Sequence, residues 1–166
     1  MNTALMFSKA TDEWATPVDD MAEWNCEFSF DLDAAATCGN RTCLHYFGPD
    51  HGAHGRRDAL VADWHGDMFD RGSLTMAAWL NPPYSKCREF IAKAAQEARK
   101  GCTVVCLVPS RTDTRWWHES VWDADKNSAR PGVEIRLIKG RLKFGGAAAG
   151  APFPSVLIIF RPLEAV

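Results

Sequence analysis

The stretch Leu74-Thr75-Met76-Ala77-Ala78-Trp79-Leu80-Asn81-Pro82-Pro83-Tyr84 decides the fold. Its mostly apolar first part predicts a buried strand over Leu74 to Leu80. The two prolines remove two backbone donors and fix two φ angles, so the strand must end in a stiff turn. A helical pattern follows over Ser85 to Lys100, and Gly101 is its stop signal. The stretch therefore predicts a strand-to-helix corner in an α/β sheet.

Further apolar runs and start signals extend this pattern along the chain. The runs that predict strands are Phe28 to Ala34, Thr103 to Val108, Val133 to Ile138 and Ser155 to Phe160, and the alternating run at 133–138 favours an edge position. Thr16-Pro17 predicts a helix start with Thr16 as N-cap and Pro17 as first helical residue, and Asp113 to Trp122 predicts a shorter helix. Strands that alternate with helices predict an α/β fold: a compact single domain with a central, mostly parallel sheet flanked by helices.

Composition restricts the class of protein. The chain has 166 residues, of which 46% are hydrophobic and 24% charged, as is ordinary for a soluble globular protein. No apolar run approaches the roughly 20 residues of a membrane span, and the first nine residues lack the apolar stretch of a secretory signal. We therefore expect a cytoplasmic protein without a membrane partner, whose six cysteines are reduced thiols. Because the formal net charge is -2, binding to nucleic acid would require a local basic surface.

The turn at 81–84 carries groups that suit chemistry on an amino nitrogen. The side-chain oxygen of Asn81 and the carbonyl oxygen of Pro82 could both accept hydrogen bonds from one NH2 group, and Tyr84 offers a face for a planar ring. The exocyclic amine of a base is a poor nucleophile because its lone pair is delocalised into the ring. Two acceptors on its N–H bonds favour the pyramidal form, which a neighbouring sulfonium methyl group can then alkylate. The alternative is a buried turn that only ends a strand.

The chain resembles the small phage-type DNA N6-adenine methyltransferases, since six blocks occur in that family's order over roughly residues 12 to 160. The blocks are Asp12 to Pro17, Phe30 to Ala36, Trp79 to Tyr84, Pro109 to Trp116, Gly140 to Phe144 and Ala151 to Ser155. The resemblance implies a Rossmann-like methyltransferase domain over 12–162 behind an N-terminal tail at 1–11. It also implies S-adenosylmethionine as methyl donor, DNA as partner, and catalytic roles for Asn81, Pro82, Pro83 and Tyr84.

The resemblance also implies which residues bind the donor. They are Trp14, Thr16 and Pro17 in the N-terminal segment, and Asp31, Asp33, Ala34 and Ala35 after the first strand. Many relatives have a glycine-rich loop where this chain has three alanines. Asp50 follows Asp33 by 17 positions, which is close to the spacing of about 20 for an acid that binds ribose hydroxyls. One of Asp58, Asp63 and Asp67 could accept a hydrogen bond from the amino group of the donor's adenine.

Two basic and aromatic segments are candidates for contact with nucleic acid. The residues are Arg111, Arg115 and Trp116 in the first segment and Arg141, Lys143 and Phe144 in the second, with Trp117, Arg136 and Lys139 beside them. Arginine suits phosphate contact and an exposed aromatic ring suits base stacking. A base inside a duplex cannot reach Asn81, so the target base must be flipped out. The alternative is a solvated strand edge with structural ion pairs.

Other functions fit parts of the pattern. The corner at 81–84 does not separate adenine N6 from cytosine N4, RNA or protein glutamine as the acceptor. A non-catalytic nucleic-acid-binding module is the alternative from another class. Cysteine and histidine also cluster in one segment, at Cys38, Cys43, His45, His51 and His54. Because their spacing matches no paired zinc-ligand pattern, we expect no metal site.

Overall fold

A computed structural model describes residues 14–163. Four α-helices lie in this part of the chain: α1 Val18–Phe28, α2 Trp64–Asp70, α3 Cys87–Lys100 and α4 Arg115–Ser120. The strands are β1 Leu32–Asp33, β2 His45–Tyr46, β3 Ala77–Leu80, β4 Thr103–Pro109, β5 Trp122–Asp123, β6 Ser128–Ala129, β7 Val133–Leu137 and β8 Ser155–Phe160. Short 3-10 turns occupy His54–Arg56, Tyr84–Lys86 and Phe144–Gly146.

Six of the strands form one mixed sheet in the order β2-β1-β3-β4-β8-β7. The ladders from β2 to β4 are parallel, and β8 pairs antiparallel with both β4 and β7. The chain leaves β1 for β2 on one side, whereas β3 lies on the other side of β1. The strand order therefore reverses between β1 and β3, which is where open α/β sheets commonly bind ligands. β5 and β6 form a separate two-stranded ribbon.

The sheet is buried on both faces because alternate side chains of β4 and β8 enter two separate cores. One core contains Val104, Cys106 and Val108 with apolar residues of α2, α3 and α4. The other contains Val105 and Leu107 with α1 and the segment from 142 to 151. Burial on both faces explains why these strands are continuous apolar runs. The prediction of a mostly parallel central sheet with flanking helices is confirmed at this level.

Three predicted boundaries were wrong. The run at Phe28 to Ala34 is not one strand, because α1 continues to Phe28 and only Leu32–Asp33 pairs. Met21, Trp24 and Phe28 are the buried residues of α1, and their spacing of three and four is helical. The strand predicted from Leu74 begins at Ala77, since Leu74 is fully exposed and Met76 has a φ of 48°. The N-cap of α1 is Pro17 rather than Thr16.

Two charged networks connect the helices, one to another helix and one to the sheet. The Glu97 carboxylate of α3 is fully buried and accepts hydrogen bonds from Lys93, Lys100 and the backbone N–H of His65, which joins α3 to α2. On the other face, the Arg136 guanidinium of β7 donates to both carboxylate oxygens of Glu27 at the end of α1, at 2.6 and 2.7 Å. In the part of the chain described here, no helix has the length and apolar character that crossing a membrane requires.

Candidate active site

A cavity of about 460 Å3 opens at the carboxyl ends of β1, β2 and β3. Its lining residues include Asp33, Ala35, Ala36 and Thr37 after β1, Phe47, Gly48 and Pro49 after β2, and Trp79, Asn81 and Pro83 around the end of β3. The segments Trp14–Thr16 and Arg57–Leu60 contribute the remaining walls, together with Asn40, Thr42, Lys86 and Phe90. The volume lies within the range of about 300–1,000 Å3 that small-molecule sites occupy. The cavity lies where the strand order reverses, as the sheet topology predicts.

Asn81 holds a fixed orientation beside this cavity. Its Nδ2 donates to the backbone carbonyl of Trp14 and, at 3.2 Å, to the Oγ1 of Thr16. A carbonyl oxygen can only accept, so the amide nitrogen must face Trp14. The Oδ1 atom of Asn81 is buried and has no hydrogen-bond partner within 14–163. The side chain thus keeps one unused acceptor in the wall of a cavity.

Tyr84 belongs to a group of aromatic rings next to Asn81. Its ring lies nearly parallel to the indole of Trp14, with an interplanar angle of 14° and a centroid distance of 6.1 Å. Phe153 meets both rings edge-on, and Phe144 meets Trp14 edge-on. The hydroxyl of Tyr84 is buried without a partner among the described residues, and burial raises its pKa well above the usual range for tyrosine. The phenol is therefore neutral at any physiological pH.

Asp33 places a carboxylate in the cavity wall at the end of β1. Its Oδ2 accepts hydrogen bonds from the backbone N–H and the hydroxyl of Thr42, at 2.9 and 2.8 Å, and its Oδ1 accepts one from the backbone of Ala35. The side chain is almost fully buried, and burial raises the pKa of this carboxyl although these hydrogen bonds oppose the rise. Asp58 also lines the cavity and keeps one oxygen on the backbone N–H of Leu60. The two acids favour a cationic ligand in the cavity.

Gly48 allows the loops after β1 and β2 to meet. The backbone N–H of Ala36 donates to the carbonyl of Phe47, and a Cβ atom built on Gly48 would lie 1.6 Å from the carbonyl oxygen of Ala36. No side chain fits in that space. Small residues after β1 and a glycine after β2 thus bring the two loops into close contact. Sequence analysis missed Gly48, although Tyr46-Phe47-Gly48-Pro49 carries the signal of a strand that ends at a turn.

Comparison with known proteins identifies the family. A sequence model described as DNA N-6-adenine-methyltransferase (Dam) matches residues 4–165. This chain belongs to the Dam family. A protein of Escherichia phage T1 named DNA N-6-adenine-methyltransferase is 29% identical over 167 aligned residues, which cover 92% of this chain and 64% of that protein. A protein of Haemophilus phage HP1 with the same name is 28% identical over 159 residues, covering 91% of this chain and 79% of its own length. The chain thus spans somewhat less than two thirds of the phage T1 protein.

The structure of this Dam-family chain brings together four of the eight predicted donor-binding residues. Trp14, Thr16, Asp33 and Ala35 line the cavity. The other four do not: Asp31 forms an ion pair with Arg71, Ala34 is fully buried, Pro17 caps α1, and Asp50 is exposed and accepts from the backbone N–H of Cys38. Asp50, which the ribose spacing selects, thus lies outside the cavity lining and holds the loop through Cys38, and its role in donor binding stays a prediction.

The three acids that precede β3 have different positions. Asp63 pairs with Lys100, and Asp67 pairs with Arg56 and Arg71. Asp58 is the one of the three that lines the cavity. Asp63 and Asp67 thus connect secondary-structure elements. Asp58 is therefore the remaining candidate among the three for contact with a ligand, a choice that the sequence alone could not make.

The predicted nucleic-acid residues divide into exposed cations and buried rings. Arg111, Arg115, Arg141 and Lys143 are exposed, and none of them forms an ion pair with another residue in the described range. Two of the predicted stacking rings are buried: Trp116 packs in the core beside Trp117, and Phe144 packs against Trp14 and Phe153. Trp116 directly follows the exposed Arg115, but α4 turns its ring toward the core.

The cysteine and histidine segment serves the local structure. His51 accepts a hydrogen bond from the backbone of Ala53 through Nδ1, and its ring packs against Tyr46. Across the described residues, histidine, cysteine and acidic side chains form no group of three that could hold a metal ion. All six cysteines are described as thiols without a disulfide. The segments predicted at 1–11 and at Asp12-Glu13 lie outside the described residues.

Proposed function

We propose that this chain is an S-adenosylmethionine-dependent DNA methyltransferase with a Rossmann-like fold that methylates N6 of adenine in a flipped-out base. Membership of the Dam family and the names of its phage relatives support this activity. The observation that carries the proposal is Asn81, whose nitrogen is fully engaged and whose oxygen is an unused acceptor in a cavity wall. In a turn that only ended a strand, we would expect that oxygen to have a hydrogen-bond partner, because a buried acceptor without a partner costs about 1–3 kcal/mol.

The cavity fits the methyl donor. S-adenosylmethionine carries a sulfonium and an ammonium charge, and the carboxylates of Asp33 and Asp58 supply the opposite sign. Ala35, Ala36 and Gly48 leave room for a ligand close to the backbone, and Phe47 and Leu60 provide apolar walls. These residues would hold the donor, with Asp58 as the acceptor for its adenine amino group. When bound, the donor supplies a methyl group on a positively charged sulfur.

The residues of the corner act on the acceptor base. The Oδ1 of Asn81 and the carbonyl oxygen of Pro82 each accept one N–H of the adenine amino group, which frees the nitrogen lone pair and stabilises positive charge as it develops there. Pro82 and Pro83 keep the two acceptors rigid. The ring of Tyr84 stacks on the base and holds it in this position. Since Oδ1 is buried, side chains around it must move when the base enters.

The exposed cations provide the contact with DNA. Arg111 and Arg115 follow the carboxyl end of β4, and Arg141 and Lys143 precede the segment that packs on Trp14. All four are exposed and available for phosphate contacts that offset the few kcal/mol of base flipping. They supply the local positive surface that binding to DNA requires in a chain with a net charge of -2.

Nucleoside mass spectrometry tests the proposal. The purified chain is incubated with S-adenosylmethionine and DNA that lacks methylated adenine, and we expect N6-methyldeoxyadenosine as the product. Asn81→Ala should lower kcat by about 100-fold or more, since it removes a preorganised acceptor, and should retain donor binding in calorimetry. N4-methyldeoxycytidine as the product would overturn the choice of base. Absence of any methylated nucleoside, with donor binding intact, would overturn the DNA substrate.

A further inference from the structure

We propose that Thr16 is a positioning residue for the reaction, because its hydroxyl holds the Asn81 amide in the orientation that presents Oδ1 to the substrate. This inference rests on the proposed function and assigns a role within the same site. Sequence resemblance places Thr16 in a donor-binding segment, but in the structure its hydroxyl oxygen accepts a hydrogen bond from the Nδ2 of Asn81 at 3.2 Å. Thr16 lies 65 positions before Asn81, so sequence alone offers no reason to connect the two.

The Asn81 amide has two hydrogens, and the segment at 14–16 accepts both of them. One goes to the backbone carbonyl of Trp14 and the other to the hydroxyl of Thr16. An amide rotated by half a turn would place Oδ1 against the Trp14 carbonyl, and two acceptors would then repel each other. The Trp14 carbonyl therefore selects one of the two amide orientations, and the Thr16 hydroxyl holds the amide there by accepting its second hydrogen. In the selected orientation Oδ1 is left for the amino group of the substrate.

The same pair of contacts also strengthens Oδ1 as an acceptor. Hydrogen bonds donated by an amide nitrogen draw electron density toward the carbonyl oxygen, and bonds in such a chain reinforce one another in a low dielectric. Asn81 is partly buried, its Oδ1 is fully buried, and Thr16 is half-buried, so water competes poorly for these groups. Loss of the Thr16 hydroxyl would leave one amide hydrogen without a partner and would let the side chain rotate.

The test compares Thr16→Val with Thr16→Ser. Valine keeps the shape of threonine and removes the hydroxyl, whereas serine keeps the hydroxyl. We expect kcat to fall about tenfold in Thr16→Val, as the loss of one buried hydrogen bond in the transition state predicts, and to recover in Thr16→Ser. Donor affinity, measured by calorimetry, should be unchanged in both variants. Thr103→Val is the matched control, since Thr103 begins β4 at the opposite end of the sheet from Asn81.

Nuclear magnetic resonance provides a readout that is independent of activity. The side-chain NH2 protons of Asn81, assigned by their loss in Asn81→Ala, should exchange slowly with solvent in the wild-type chain and in Thr16→Ser. In Thr16→Val we expect exchange of at least one proton to accelerate by about tenfold, because its acceptor is gone.

The outcomes separate this inference from the proposed function. A wild-type chain that transfers no methyl group to DNA would refute the proposed function. The exchange measurement would then test by itself whether Thr16 holds the Asn81 amide. An active wild type with an equally active Thr16→Val would overturn the positioning role. A weaker donor affinity with unchanged kcat in Thr16→Val would also overturn the positioning role. It would indicate that Thr16 binds the donor instead.

Discussion

At the scale of single residues, the corner after β3 combines rigidity with two unsatisfied polar atoms. The prolines fix the backbone, the segment at 14–16 fixes the Asn81 amide, and Tyr84 is held among aromatic rings. The Oδ1 of Asn81 and the hydroxyl of Tyr84 are nevertheless buried without partners within 14–163. The two atoms need not have the same role, since Oδ1 serves the proposed chemistry whereas Tyr84 contributes its ring.

Substitutions at Tyr84 separate its ring from its hydroxyl. Because the hydroxyl has no partner among the described residues, we expect Tyr84→Phe to keep methyl transfer and to unfold with a free energy equal to or about 1 kcal/mol above that of the wild type. Tyr84→Ala should raise the KM for DNA by about tenfold or more, since stacking of one base on an aromatic ring contributes about 1–3 kcal/mol. Methyl-transfer kinetics and urea unfolding measure these effects. An inactive but folded Tyr84→Phe would show that the hydroxyl takes part in the chemistry.

At the scale of elements, the buried Glu97 connects two helices that carry the cavity wall. α2 follows the segment at Arg57–Leu60, and α3 follows the corner at 81–84. Burial alone would raise the pKa of Glu97, but hydrogen bonds from Lys93, Lys100 and the backbone of His65 outweigh it and keep the pKa below the usual range. The carboxylate is therefore charged in the folded chain and depends on its cationic partners.

Glu97→Gln should destabilise the folded chain by about 3 kcal/mol at pH 7, because it leaves the largely buried Lys93 without its carboxylate and removes one of the two carboxylates that pair with Lys100. A carboxyl whose pKa is depressed by folding stabilises the fold above its unfolded pKa of about 4.3, and this contribution is lost as pH falls through the folded value. The difference between Glu97→Gln and the wild type should therefore shrink at low pH. Urea unfolding at pH 7 and pH 4 measures it. Glu89→Gln, on the exposed face of α3, is the control and should change stability by less than about 0.5 kcal/mol.

Elements that the sequence marks with long apolar runs were predicted well, and short ones were not. β8 has the predicted bounds, and β4 and β7 differ by one residue, because burial on both faces or alternation at an edge requires those patterns. β1 and β2 have two residues each, so their pairing depends on tertiary contacts that no local pattern encodes. Likewise the corner could be predicted from Pro82-Pro83, but the contact of Thr16 with Asn81 could not.

At the scale of the whole molecule, positive charge is distributed unevenly over a chain with a net charge of -2. Arg136, which the sequence places beside the second basic segment, shares Glu134 with Arg161, so both arginines are partly neutralised. Arg111, Arg115, Arg141 and Lys143 form no ion pair with another described residue and flank the carboxyl end of the sheet. These four unpaired cations thus lie on the side where the proposed reaction takes place.

Replacing Arg115 or Lys143 with alanine should weaken DNA binding and lower the slope of log affinity against log salt by about 1, since each lost phosphate contact releases one counterion fewer. Fluorescence anisotropy at several salt concentrations measures the slope. Arg88→Ala is the control, because Arg88 is exposed but paired with Glu119 on the helical face. Unchanged slopes in both alanine variants would remove these two residues from the DNA surface.

The unused oxygen of Asn81 also sets a limit on how heat-resistant this chain can become while it remains functional. The desolvated acceptor costs the folded state about 1–3 kcal/mol, but replacing Asn81 with leucine would also leave the Trp14 carbonyl and the Thr16 hydroxyl without their donor. A laboratory selection for thermal tolerance would therefore have to gain stability elsewhere in the fold, because both ends of this amide restrict change at position 81.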